Sequence, residues 1–108
     1  MTPAQAIKML DDQLRRHGEP VMLHTVVAGV PDAGTAARAF VRGYKPDELA
    51  GDLIKQGDRR VTVSPTTVPA PPALNSKISV AGKMLNVQAV EPRRLNGVLV
   101  RIELQVRG

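Results

Sequence analysis

The chain has 108 residues, a formal net charge of +5 and no cysteine, which excludes disulfides and thiolate metal sites and removes any argument for an oxidising compartment. That length is one domain by the usual prior and enough to bury a core without staples. Aromatic residues make up 2%, namely Phe40 and Tyr44 with no Trp, so the core must be aliphatic and stacking platforms for nucleobases are almost absent.

The N-terminus lacks the basic and apolar regions of a secretory signal, and no apolar run approaches the roughly 18 residues of a membrane span. The chain therefore reads as soluble and non-secreted. Thr2-Pro3-Ala4-Gln5 is a helix opening, with Thr as N-cap, Pro in the first helical position and Gln placed to close a capping box. Residues 3–17 then carry Pro3, Ile7, Leu10 and Leu14 on one narrow stripe, with Lys8, Asp11, Asp12, Arg15 and Arg16 facing away. Gly18 follows Arg15, Arg16 and His17, where cations suit the helix dipole. The helix is expected to lie across the end or face of a sheet, or against a neighbouring subunit.

Strands are predicted at 20–28, 35–43, 59–64, 77–81, 84–91 and 97–107. In the second, the small residues Ala37, Ala39 and Val41 alternate with Arg38, Phe40 and Arg42, the two-residue period of a half-buried strand. Residues 44–60 have no consistent period, contain Gly51 and Gly57, and carry four cations and four carboxylates. They read as a long, mobile inserted loop. Pro65, Pro69, Pro71 and Pro72 make residues 65–76 an extended connector that cannot supply the N–H groups of a central strand.

Residues 77–107 form the strongest pattern, a three-stranded meander. Val98, Val100, Ile102, Leu104 and Val106 are assigned to one face and Arg101, Glu103, Gln105 and Arg107 to the other, with Leu99 out of phase. Leu85, Val87 and Ala89 share the buried face of the preceding strand. The turns fall at Ala81-Gly82 and within 91–97, where Asn96-Gly97 tolerates positive φ. Residues 77–108 hold six cations and two carboxylates, so the charge excess belongs here. Such a surface suits a nucleic-acid or acidic-protein neighbour as well as a plain solvated face. Arg93, Arg94, Arg101 and Arg107 are the candidate partner- or DNA-facing residues. The expected fold is a mainly β barrel or sandwich of about six antiparallel strands with one N-terminal helix.

No catalytic constellation emerges. His17 and His24 have no partner at metal-ligand spacing and read as a helix-end residue and a strand surface residue. Asp47, Glu48, Asp52 and Asp58 are interleaved with Lys45, Lys55, Arg59 and Arg60, which reads as a solvated loop, not a divalent-cation cage. No glycine-rich phosphate loop is present. The chain is expected not to be an enzyme and to need no cofactor.

The order of parts carries a resemblance. Ala39-Phe40-Val41-Arg42-Gly43-Tyr44, Leu53-Ile54-Lys55-Gln56-Gly57-Asp58-Arg59-Arg60-Val61, the Pro-rich connector, Lys77-Ile78-Ser79-Val80-Ala81-Gly82-Lys83, Val87-Gln88-Ala89-Val90-Glu91-Pro92 and Leu104-Gln105-Val106-Arg107-Gly108, taken in sequence, resemble the head completion proteins of tailed bacteriophages, also called stoppers or head-tail joining proteins. The likeness is greatest over 53–108. The chain departs from the family in having Asn75 and Ser76 where an Asp is frequent, and no aromatic residue near Val100 to Ile102. The resemblance implies a small barrel with a helix, assembled as a ring between the portal–adaptor complex and the tail, in the virion at the head–tail interface. It further implies that residues 44–60, with Leu49, Leu53, Ile54 and Lys55 as channel-loop candidates, face the channel axis, and that double-stranded DNA passes non-specifically. The implied partners are further copies of the chain, the adaptor or portal, and tail terminator or other tail proteins. Two other classes stand beside it, a monomeric basic β-barrel that binds nucleic acid and a small non-phage interaction adaptor. Against the first, an oligonucleotide-binding face wants aromatic platforms.

Overall fold

The computed structural model describes residues 1–27, 29–31, 33–44 and 57–108. Among these described residues one helix, α1 (Pro3–His17), precedes eight strands: β1 (Glu19–His24), β2 (Val26–Val27), β3 (Val30–Pro31), β4 (Thr35–Gly43), β5 (Arg59–Val63), β6 (Lys77–Val80), β7 (Lys83–Leu95) and β8 (Val98–Arg107). Six of them close an antiparallel barrel in the order β1-β4-β5-β8-β7-β6, and β2 and β3 pair in a separate small ribbon. Closure comes from β1 against β6, where Val21 lies opposite Val80 and His24 opposite Lys77. An even number of alternating strands lets the first and last meet antiparallel, which leaves no edge along the paired part of the wall.

The interior is aliphatic, as the lack of aromatics requires. Val21, Ala37, Ala39, Val61, Val63, Ile78, Val80, Leu85, Val87, Ile102, Leu104 and Val106 form one buried cluster, with Val68 of the Pro-rich connector reaching in from one end. Ala37 and Ala39 make room for the larger residues opposite: Ala39 pairs with Val63, and Val63 with Ile102. Interiors packed to crystal density need such small-against-large matching.

Two bulges correct the predicted facing of β7 and β8. Between Val87 and Ala89 the register against β8 shifts so that Gln88 is extra. The phase resets there, so Ala89 is exposed and Val90 packs on the core instead. Val100 is extra in β8, since Arg93 faces Arg101 while Arg94 faces Leu99. Leu99, out of phase in the sequence, is therefore the residue that packs on the core, and Val98 is 46% exposed. β7 also runs on to Leu95, through the segment 91–97 assigned to a turn. Pro92 is tolerated there because β7 pairs with β6 only over Lys83–Asn86, so among the described residues the far edge of β7 asks nothing of its missing N–H. The reversal itself is confined to Asn96-Gly97, with φ of 50° and 77°, a type I′ geometry. The strand predicted at 20–28 stops at His24, and Val26–Val27 turn away into the small ribbon.

α1 begins as predicted. Thr2 accepts from the Gln5 amide and Gln5 Oε1 accepts from the Thr2 amide at 2.8 Å, completing the capping box. Its position follows from the length of β5, which pairs with β4 only over Ala39–Gly43 and with β8 only over Ile102–Val106. β4 and β8 both continue beyond it, and α1 lies in contact with both. Leu10 and Leu14 are buried there, apart from the interior cluster. Arg38 of β4 fastens the helix end, donating from Nε to the Leu14 carbonyl at 3.0 Å and from Nη2 to the Gly18 carbonyl. The Leu14 carbonyl also accepts the Gly18 amide at 2.9 Å, so the guanidinium adds a second bond there and caps the Gly18 carbonyl, a cation at the negative end of the helix. Gly18 is required because a Cβ there would lie 2.5 Å from the Leu14 carbonyl oxygen. Among the described residues no helix is long and apolar enough to cross a membrane.

Candidate interface

The outer face of the β7–β8 hairpin carries a compact charge network built from strand register. Glu91 stands opposite Glu103, and Arg93 opposite Arg101. Like charges directly opposed repel, and pairs along the strand and across the diagonal relieve it: Arg93 Nη2 lies 3.0 Å from Glu91 on its own strand and 3.5 Å from Glu103 on the next. Arg101 Nη1 lies 3.9 Å from Glu103, and Arg60 of β5 pairs with Glu103 and, at 3.4 Å, with Glu91. Glu103 is the hub. Its side chain is only 11% exposed, and three guanidinium groups surround it. Three cations face two carboxylates, so the patch has a net positive charge.

Beside this network lies a groove of about 520 Å³, walled on one side by Met1, Ala6, Met9, Leu10 and Gln13 of the helical segment and on the other by Arg93, Val100, Arg101 and Glu103. A second hollow of about 450 Å³ opens over Phe40, Arg42, Arg60, Thr62, Arg101 and Glu103. A third, about 360 Å³, runs between the Pro-rich connector and the His24 end of β1.

The predicted basic residues do not form one surface. Arg93 and Arg101 are brought together, and Arg94 sits beyond them near the hairpin tip. Arg107 is at the other end of β8 and is engaged within the chain, its Nε 2.8 Å from Asp58 Oδ1 and its Nη2 2.9 Å from Oδ2. The Asp58 hydrogen bond, opposed by desolvation and aided by charge attraction, raises the Arg107 pKa above its ordinary value. Asp58, assigned to a solvated loop, is buried, with its side chain 1% exposed, and also accepts from Gln105 Nε2 at 2.8 Å. Such bidentate pairing is the strong form of a charge-assisted hydrogen bond. It clips the start of β5 to the end of β8. Leu49, Leu53, Ile54 and Lys55 lie outside the described residues.

His24 is likewise not a strand surface residue. It is buried, and its Nε2 is 2.9 Å from Ser79 Oγ on the neighbouring β6. Among the described residues no group of His, Cys, Asp or Glu is arranged to hold a metal ion. Sequence reasoning missed Glu103, Arg60 and Met9 as members of the interface. The signal for Glu103 was present in its alternation with Arg101, but its burial depends on β5, which lies about forty residues away along the chain. No protein-family model, curated protein or solved structure matches the chain.

Proposed function

We propose that this chain is a structural, non-catalytic subunit of the neck of a tailed-phage particle, made in the bacterial cytoplasm and assembled as a ring between the portal–adaptor complex and the tail. In that role it closes the DNA exit channel and offers the tail a docking surface. The observation that supports this most is the geometry at one rim of the barrel: Gly43 and Arg59 are register partners, so the twelve residues 45–56 between the described ends leave and re-enter the wall at one point. A short wall anchoring both ends of one insertion is what a ring needs if each copy contributes a segment to a shared axis. Leu49, Leu53 and Ile54 supply apolar side chains to that segment, and its two cations against three carboxylates give passing DNA no reason to be held.

The test is deletion of Pro46 to Gln56 in the particle. The barrel should fold and the ring should assemble, while particles lose packaged DNA. Full DNA retention by the deletion would remove the channel-closing role, and a chain that never enters particles would remove the neck assignment altogether.

A further inference from the structure

We infer that the groove between α1 and the β7–β8 hairpin is a docking site for an acidic segment of a partner protein that carries aliphatic side chains. This stands on the groove's geometry and does not depend on the neck reading.

The helical wall is mainly apolar and adaptable. Met9 is 50% exposed and Met1 73% exposed, with Ala6 and Val100 between them on opposite sides. Unbranched thioether side chains fit irregular aliphatic partners well, and a hollow of about 520 Å³ has room for two or three side chains of a peptide. Exposed aliphatic area of this kind gains from being covered.

The charge around it selects the partner's sign. Arg60, Arg93 and Arg101 share Glu91 and Glu103, which leaves the rim with one positive charge in excess. The first turn of α1, at the same end of the groove as Met1, carries no acidic residue, so its positive dipole end adds to the rim. Carboxylates on the partner would be drawn to both. Nucleic acid fits less well, because the lining holds no aromatic side chain for stacking and a phosphate backbone leaves aliphatic walls uncovered.

The experiment selects twelve-residue peptides from a random display library on the immobilised full chain and titrates the enriched peptides by fluorescence anisotropy. Enriched sequences should be rich in Asp and Glu with interspersed Leu, Ile or Met. Their affinity should fall about tenfold or more for Met9→Asp and for Arg101→Glu, as expected where a few anchors carry most of the binding, and should weaken with salt. Ala6→Leu, which fills the groove without adding charge, should also weaken binding and guards against a folding defect in the charged variants; thermal melting confirms that each is folded. Enrichment of basic or neutral sequences, no enrichment, or binding indifferent to all three variants would overturn the proposal. So would duplex DNA displacing the peptides, or a self-associated parent that Met9→Asp makes monomeric, since the occupant would then be nucleic acid or a second copy.

Discussion

The two halves of β8 belong to one strand, interrupted only by the bulge at Val100, yet live in different surroundings. Residues Ile102 to Val106 have β5 on one side and β7 on the other, and their apolar side chains are sealed inside the barrel. Residues Val98 to Arg101 pair with β7 alone, beyond the end of β5, and lean on a helix instead. The same kind of residue is core in one half and surface in the other. Burial is thus decided by where the neighbouring strand stops; the groove opens on the half beyond β5, and the charge network straddles the boundary between Arg101 and Glu103.

This contrast can be broken most forcefully at Leu104, which is 1% exposed. Leu104→Asp places an unpaired charge in an aliphatic interior, with a cost of several kcal/mol, on the order of the whole stability of a small domain. Circular dichroism should show an unfolded chain. Val98→Asp on the same strand should shift stability by no more than about 0.5 kcal/mol, and equal melting of the two variants would erase the distinction between the halves.

A smaller loss is expected at the clip on the inner half. Asp58→Ala removes a buried carboxylate that holds Arg107 and Gln105. Since Arg107 is about one-third exposed and regains water, the loss should be about 1–3 kcal/mol, below that for a fully buried pair, measured as a lower midpoint in urea. The arginine side of the clip is indifferent to pH near neutrality. A cation with a raised folded pKa contributes fully below its unfolded value, and for arginine that value lies far into the alkaline range.

On the outer half, Arg38→Met takes two hydrogen bonds from the end of α1. A loss of about 1–2 kcal/mol is expected, accompanied by faster amide exchange in the helix than in the barrel strands. If helix and barrel exchange rates rose together, α1 would belong to the same cooperative unit as the wall. The smallest effect is a gain. Ala81 sits at φ of 51° in the β6–β7 turn, a left-handed conformation that costs an L-residue about 1 kcal/mol. Ala81→Asn should therefore raise the melting temperature slightly, and a drop would show that the turn relies on the small side chain.

Much of this fold could be read from the residues. The helix at 3–17 and the strand at 35–43 are found where capping and alternation put them, and the strand at 59–64 is found one residue shorter, because local chemistry and period dominate there. The errors have a common cause. Ala89, Val98 and Leu99 were assigned by extending one period through β7 and β8, and a single extra residue at Gln88 or Val100 inverts it. No local feature announces a bulge, which is fixed by how two strands meet. Asp58 and His24 were misjudged in the same way, as polar residues in polar surroundings, when their partners Arg107 and Ser79 are brought near only by closure of the barrel. Of the interface, Arg93 and Arg101 were legible as cations on a turn and a strand, while the groove was not, since its other wall is α1.

The placement of β8 also fixes an order of events during synthesis. Of the six barrel strands it is made last, yet α1, β5 and β7 all lean on it. Until it leaves the ribosome, Leu10 and Leu14 have half of their cover missing, β5 has one open edge, and the barrel has a gap in its wall. Contacts this distant along the chain close slowly. Before β8 arrives the other barrel strands can join only as the open sheet β5-β4-β1-β6-β7 beside a half-covered helix, and β8 is the piece that closes it.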